Sequence, residues 1–223
     1  PQTVRILPLG DSLTLGYGSG TEGSGSEGGY RLHLAELLTQ AGVDFDFVGS
    51  QQNGPAALSD RDHEGYNGHG VEEVAEKAAA AMNSYTPDVV LLMAGTNDQI
   101  SFIPPSQTPA EAAEDLEALI HQLDSLRPGV QIVVAQVIPL NLNDAGVQAY
   151  NQLLPPLVSA AQALGIHIRL VDMYAIGSAN LSMDGIHPTH DGYTQMAQIW
   201  LPALLDAIEE QATYRVQADP DSF

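Results

Sequence analysis

Three short polar segments hold side chains suited to acyl transfer: Gly10-Asp11-Ser12-Leu13, Gly95-Thr96-Asn97-Asp98 and Asp184-Gly185-Ile186-His187. Between them they supply a hydroxyl, a neutral amide donor, a carboxylate and an imidazole. A serine hydroxyl is a poor nucleophile at neutral pH, so it needs a base within hydrogen-bond reach and donors aimed at the developing oxyanion. His187 can be that base, and Asp184 can hold the ring through its other nitrogen. Asn97 can supply one donor, and the backbone amide at Ser12 a second.

Each segment taken alone also has a structural reading. Gly-Asp-Ser can be a turn with Ser12 as a helix cap, Asn97 an Asx cap in a βα turn, and Asp184 to His187 an Asx-type turn before a helix. Three unrelated turns give no reason for one chain to hold nucleophile, donor and base together. The combination therefore carries the functional signal, while His190 reads as a helix-start residue.

Such groups must be positioned by a scaffold. Five strand-like runs, at 4–9, 45–49, 89–94, 132–138 and 166–171, alternate with helical patterns, which predicts an α/β fold with a parallel sheet. Residues 89–94 of the third run and 132–135 of the fourth are apolar throughout, as central strands covered on both faces should be. The second and fifth alternate apolar with polar and are expected at the edges. The expected architecture is a three-layer α/β/α, flavodoxin-like fold with a five-stranded sheet in the order 2-1-3-4-5. In it, Ser12 and Asn97 follow strands and project from the carboxyl edge of the sheet. Loops 99–107 and 139–146 should flank the site, with Ile100, Phe102 and Ile103 as candidates for an apolar lip.

Thr108-Pro109-Ala110-Glu111 opens a helix with a capping-box spacing, Leu116, Leu119, Ile120, Leu123 and Leu126 form its stripe, and Pro128-Gly129 ends it. The last helix starts near Gly192 and carries Pro202, where a kink or restart is expected. One domain over 1–213 with a tail at 214–223 fits the length.

The chain has 28 acidic residues against 7 basic ones and a net charge of -21, which makes nucleic acid, anionic membrane surfaces and polyanionic substrates poor partners. With no cysteine, a disulfide framework, a thiolate nucleophile and a cysteine zinc site are all excluded. No apolar run approaches a membrane span. The start at Pro1, without Met or a signal-like apolar stretch, suits a processed, secreted domain. Asn180-Leu181-Ser182 matches the N-glycosylation pattern. Asp60, Asp62, His63 and Glu64 have metal-ligand types, but the cluster reads as a solvated loop. The stretch 18–23 formally matches a dinucleotide fingerprint; Asp11 and Ser12 already occupy the strand end and Glu22 would repel a pyrophosphate, so 16–29 is read as a rim loop.

The three segments resemble the blocks of the SGNH (GDSL-type) hydrolase superfamily, and His63-Glu64-Gly65-Tyr66-Asn67-Gly68 is similar to its glycine block. Within that superfamily, Gly28-Gly29-Tyr30-Arg31, Phe47-Val48-Gly49-Ser50-Gln51 and the His-Glu-Gly start look most like carbohydrate esterase family 3, the acetyl xylan esterases. The resemblance covers residues 4–205. It implies Ser12, His187 and Asp184 as the triad and Ser12, Gly68 and Asn97 as the oxyanion hole, with Gly65 or Gly70 as alternatives to Gly68. It implies no metal or cofactor, and an extracellular monomer acting on O-acetylated polysaccharide such as xylan. Tyr17, Tyr30 and Tyr66 are candidate faces for sugar rings. The rival readings are an esterase, thioesterase or lysophospholipase for longer acyl chains, a non-catalytic carbohydrate-binding module, and a metal-dependent deacetylase.

Overall fold

Apolar runs of five to seven residues become the strands of one sheet in the computed structural model, which describes residues 3–18, 28–100 and 107–218. In chain order the elements are β1 (Val4–Gly10), α1 (Ser12–Leu15), α2 (Tyr30–Gln40), β2 (Phe45–Phe47), β3 (Gln51–Gln52), β4 (Asp62–Gly65), α3 (Val71–Tyr85), β5 (Val89–Met93), α4 (Pro109–Leu126), β6 (Gln131–Ala135), α5 (Asp144–Ala163), β7 (Ile168–Val171) and α6 (His190–Ala218). Among the described residues no helix is long and apolar enough to cross a membrane.

The five expected strands are β1, β2, β5, β6 and β7, and they run parallel in the expected order, β2-β1-β5-β6-β7. The sheet nevertheless has seven strands rather than five. Antiparallel β3 and β4 form an extra pair, and β4 continues the edge of β1 beyond β2, with Leu9 opposite Glu64 and Gly10 opposite Gly65. Their sequences are polar and give no strand period. Side-chain acceptors hold this edge instead: Asp60 takes the Phe47 amide, Glu64 the Ser50 amide, and His63 Nδ1 the Gly65 amide at 2.9 Å. His63 and Glu64 are buried, so this cluster is not the solvated loop its charge suggested. Among the described residues no group of three or more His, Cys, Asp or Glu side chains is placed to hold a metal ion.

Alternate strand residues face opposite sides of the sheet. Leu7, Leu9, Val90, Leu92, Ile132 and Val134 pack with α3, α4 and α5, whereas Ile6, Val89, Leu91, Met93 and Val133 pack with α2 and α6 around Tyr30, Tyr193 and Trp200. Three layers result, and each fully buried aliphatic side chain contributes about 1.5–3 kcal/mol.

Several boundaries have local causes. β6 stops at Ala135 rather than continuing to 138, because Asn151 on α5 takes over the backbone of Val137, accepting its N–H at 2.9 Å and donating to its carbonyl at 2.8 Å. The capping box at α4 forms as predicted, with Thr108 and Glu111 bonded reciprocally. α6 begins at His190 and passes Pro202 as one element without a restart. It also extends past the expected domain limit at 213 into the segment read as a tail. Tyr214 packs against the His167 ring at 5.5 Å, so its side chain belongs to the fold.

Candidate active site

The turn after β1 presents the nucleophile candidate. Asp11, not Ser12, caps α1: its carboxylate accepts the Leu13 amide at 2.9 Å, which leaves the Ser12 hydroxyl uncommitted to the backbone. Ser12 Oγ lies 2.9 Å from His187 Nε2, and His187 Nδ1 lies 2.7 Å from Asp184 Oδ2. Residues 175 positions apart thus form one continuous hydrogen-bonded chain. Its inner end is well covered, with Ser12 at 4% and His187 at 8% exposure.

The Asp184 turn is both an Asx turn and the holder of the imidazole. Asp184 Oδ1 accepts from the Ser182 hydroxyl at 2.7 Å, the Ile186 amide at 2.9 Å and the His187 amide at 3.0 Å, leaving Oδ2 for the ring. Partial burial alone would raise this carboxyl. The bonds from His187, Ile186 and Ser182 outweigh that and hold it well below the usual carboxylate range. It is therefore an anion at neutral pH, able to stabilise an imidazolium. On the other side of the ring, Tyr17 packs at 4.6 Å between centroids. Its carbonyl is anchored by the buried Tyr193 hydroxyl at 2.7 Å.

The donor candidates come together from two other segments. Asn97 follows β5 and is 6% exposed; its Nδ2 donates to the His69 carbonyl at 2.8 Å and lies 3.5 Å from Asp11 Oδ2, a loose contact. The first bond fixes the amide against the glycine segment. That segment is fixed in turn by Asp98, whose carboxylate accepts the Val71 amide at the start of α3. Asp11 is fully buried, and desolvation, reinforced by the nearby Asp98 charge, raises its carboxyl to about 7.

The three glycines of this block are not equivalent. A Cβ on Gly65 would sit 2.3 Å from the Leu15 nitrogen and one on Gly70 2.6 Å from Asp98 Oδ1. Gly68, at φ +79°, would meet nothing within 4 Å. Gly65 and Gly70 answer to packing, whereas Gly68 borders open space next to the carbonyl that holds Asn97.

Other expectations meet the structure less well. Tyr30 is fully buried beneath the sheet and offers no face to a ligand, and Ile100 is buried rather than on a lip. Tyr66 stacks on His69 with its hydroxyl bonded to Glu64, half-buried. Phe102 and Ile103 lie outside the described residues, as does most of the rim loop, 19–27. Asn180 is already engaged: the amide nitrogen a glycan would occupy donates to the Ile176 carbonyl at 2.6 Å.

Sequence reasoning missed several supports. Arg31 is buried and donates to the carbonyls of Thr14, Leu15, Asn53 and Arg61, tying the end of α1 to the β3–β4 loop. Tyr150 donates to the Ala94 carbonyl at 3.0 Å and lies so close to Gly95 that a Cβ there would be 2.6 Å from its ring. Only the neighbouring glycines and aromatics hint at these contacts.

A hydroxyl, an imidazole and an anchored carboxylate in sequence, beside neutral donors and on the carboxyl edge of a parallel sheet, have the geometry that a serine hydrolase site requires. The chain belongs to the GDSL-like lipase/acylhydrolase family, which it matches over residues 9–195. That family is one of carboxylic ester hydrolases, and within it the chain is similar to carbohydrate esterases of family 3. A family 3 carbohydrate esterase from Clostridium thermocellum is 34% identical, with a TM-score of 0.81 over 93% of this chain and 98% of that one. An acetyl esterase, solved as a serine-to-alanine variant with an acetate ion, is 25% identical with a TM-score of 0.80 over 93% of this chain and 99% of that one. A multidomain esterase of Ruminococcus flavefaciens is 27% identical over 89% of this chain, which spans only 28% of that relative.

Proposed function

We propose that this chain removes O-acetyl groups from a polysaccharide, acetylated xylan first among them, through an acyl-enzyme. The observation that carries this reading is the unbroken Asp184–His187–Ser12 chain at 2.7 and 2.9 Å. Ser12 Oγ attacks the acetyl carbonyl while His187 Nε2 takes its proton. The Ser12 and Gly68 amides and Asn97 Nδ2 receive the oxyanion. His187 then returns the proton to the departing sugar hydroxyl, and water activated by the same nitrogen releases acetate from Ser12. The likeness to family 3 carbohydrate esterases and to an acetyl esterase supports acetyl as the acyl group. No cofactor is invoked. A polymeric substrate of this kind calls for an enzyme outside the cell.

Acetate release from acetylated xylan, measured beside Ser12→Ala and a long-chain acyl ester, tests the reading. Release that vanishes in Ser12→Ala supports it. Turnover of the long ester without release from xylan would replace the substrate and keep the serine chemistry, whereas inactivity on both would point to a binding module.

A further inference from the structure

The acyl-transfer steps leave unused a cavity of about 410 Å³ beside the site, lined by Pro139, Asn141, Asp144, Tyr174, Gly177 and Ser178. Its volume lies within the range of small-molecule sites, roughly 300–1,000 Å³. Its walls follow β6 and β7, so it opens on the same carboxyl edge of the sheet as Ser12. It also touches the loop that carries the triad. The Asn141 amide donates to the Gly185 carbonyl at 2.9 Å, and a Cβ on Gly185 would stand 2.8 Å from that of Asn141.

The lining has a definite chemistry. The Tyr174 hydroxyl donates to Asp144 Oδ2 at 2.9 Å and accepts from Gln148 at 3.1 Å, so the tyrosine is held in place and contributes its ring. Asp144 Oδ1 has only a long contact, 3.5 Å from the Leu140 amide, and keeps acceptor capacity. Among the described residues, the side-chain amide of Asn141 and the Ser178 hydroxyl make no hydrogen bond. An aromatic ring therefore sits among an acceptor carboxylate, an amide that both donates and accepts, and a hydroxyl.

An anion would face Asp144 with no Lys or Arg in the wall. An apolar ligand would desolvate three polar groups without replacing their hydrogen bonds. A neutral polyhydroxylated ring answers both, with hydroxyls for the polar groups and an apolar face for Tyr174. We infer that this cavity is a subsite for a sugar unit of the glycan chain next to the acetylated residue, an inference that rests on the polysaccharide reading above.

The test compares kcat/KM on an acetylated xylo-oligosaccharide with that on p-nitrophenyl acetate. In Tyr174→Ala the ratio of the two should fall at least tenfold, mainly through KM for the oligosaccharide. Tyr174→Phe, which keeps the ring, should stay within about threefold of the parent. Asn141→Ala and Ser178→Ala change exposed side chains and decide the matter if Tyr174→Ala does not fold; each should lower the ratio about threefold. Unchanged ratios in an enzyme that deacetylates the oligosaccharide would overturn the subsite and leave the function standing. If the parent releases no acetate from the oligosaccharide, the function fails instead. The subsite is then judged by titrating the Ser12→Ala protein with unacetylated xylohexaose and following amide shifts. Shifts at 141, 174 and 178 uphold it, and their absence refutes it.

Discussion

Replacing Asp184 by Asn should disable the enzyme while leaving its fold almost untouched. One carboxylate oxygen accepts three donors, from Ser182, Ile186 and His187, and the other accepts only the His187 ring. An asparagine can satisfy the three donors only with its carbonyl oxygen, which turns its NH2 toward His187 Nδ1. That nitrogen must then accept, so the ring proton moves to Nε2, the nitrogen that has to take the proton of Ser12. A base locked in the wrong tautomer typically loses turnover by up to about 10⁴-fold. The Asp184 side chain is 42% exposed, so water can relieve part of the mismatch, and a loss of roughly 10³–10⁴ is expected, equivalent to about 4–5.5 kcal/mol in the barrier. Because the loop bonds survive, the cost in stability is the charge-assisted part of those bonds, about 1 kcal/mol, or about 2–4 °C in Tm. Steady-state hydrolysis of p-nitrophenyl acetate and a thermal melt read the two quantities separately. Turnover within tenfold of the parent would show that Asp184 does not set the tautomer of His187.

Asn97→Ala should lower kcat roughly 10²–10³-fold if the N–H not given to His69 meets the oxyanion, and unchanged kcat would remove it from that role. Asp11, raised by burial to about 7, binds a proton in the folded state that the unfolded chain releases near pH 4. Its contribution to stability therefore falls as pH rises through the window from about 4 to 7. Urea unfolding at pH 5 and pH 7 should show a decline on the order of 2 kcal/mol that is missing in Asp11→Asn. An equal decline in both proteins would show that Asp11 does not carry it. Gly65→Ala should not yield folded protein, since its methyl would meet the Leu15 backbone at 2.3 Å. Gly68→Ala should fold with a loss of about 1–2 kcal/mol for its left-handed backbone, while turnover drops because the methyl borders the proposed oxyanion hole. Melting curves that rank the two glycine variants the other way would contradict the packing described for this segment.

The part of the molecule legible in the sequence is the part where residue type and function coincide. β5 is apolar at every position, and β6 at every position after Gln131, because helices cover both faces, and Ser12, Asn97, Asp184 and His187 are named by their chemistry. The β3–β4 edge was hidden for the opposite reason: its strands are held by carboxylates and an imidazole bonded to backbone amides, so its polar residues resemble a loop. The supports of the site are hidden in a related way. Arg31, Tyr150 and Asn151 act on backbone carbonyls or amides of distant segments, and a backbone acceptor leaves no mark on the type of the residue that owns it. The donor's identity is visible in such a bond, but its target is not.

The glycine block shows where that limit matters for chemistry. In the sequence Gly68 is assigned one amide, with Gly65 and Gly70 as alternatives that residue type alone does not separate from it. In the fold, two of them allow backbone and carboxylate to approach within distances no side chain tolerates, and those approaches bring the segment against α1 and Asp98. Asp98 then caps α3, and the His69 carbonyl between the glycines takes one hydrogen of Asn97. The packing glycines thus fix the position of Gly68 and the orientation of Asn97 together. A substitution at Gly70 should reach the proposed oxyanion hole through geometry, so Gly70→Ala is expected to lower turnover more than its loss of stability alone would explain. Activity assayed well below its melting temperature checks this, and full turnover by a folded Gly70→Ala protein would uncouple the two.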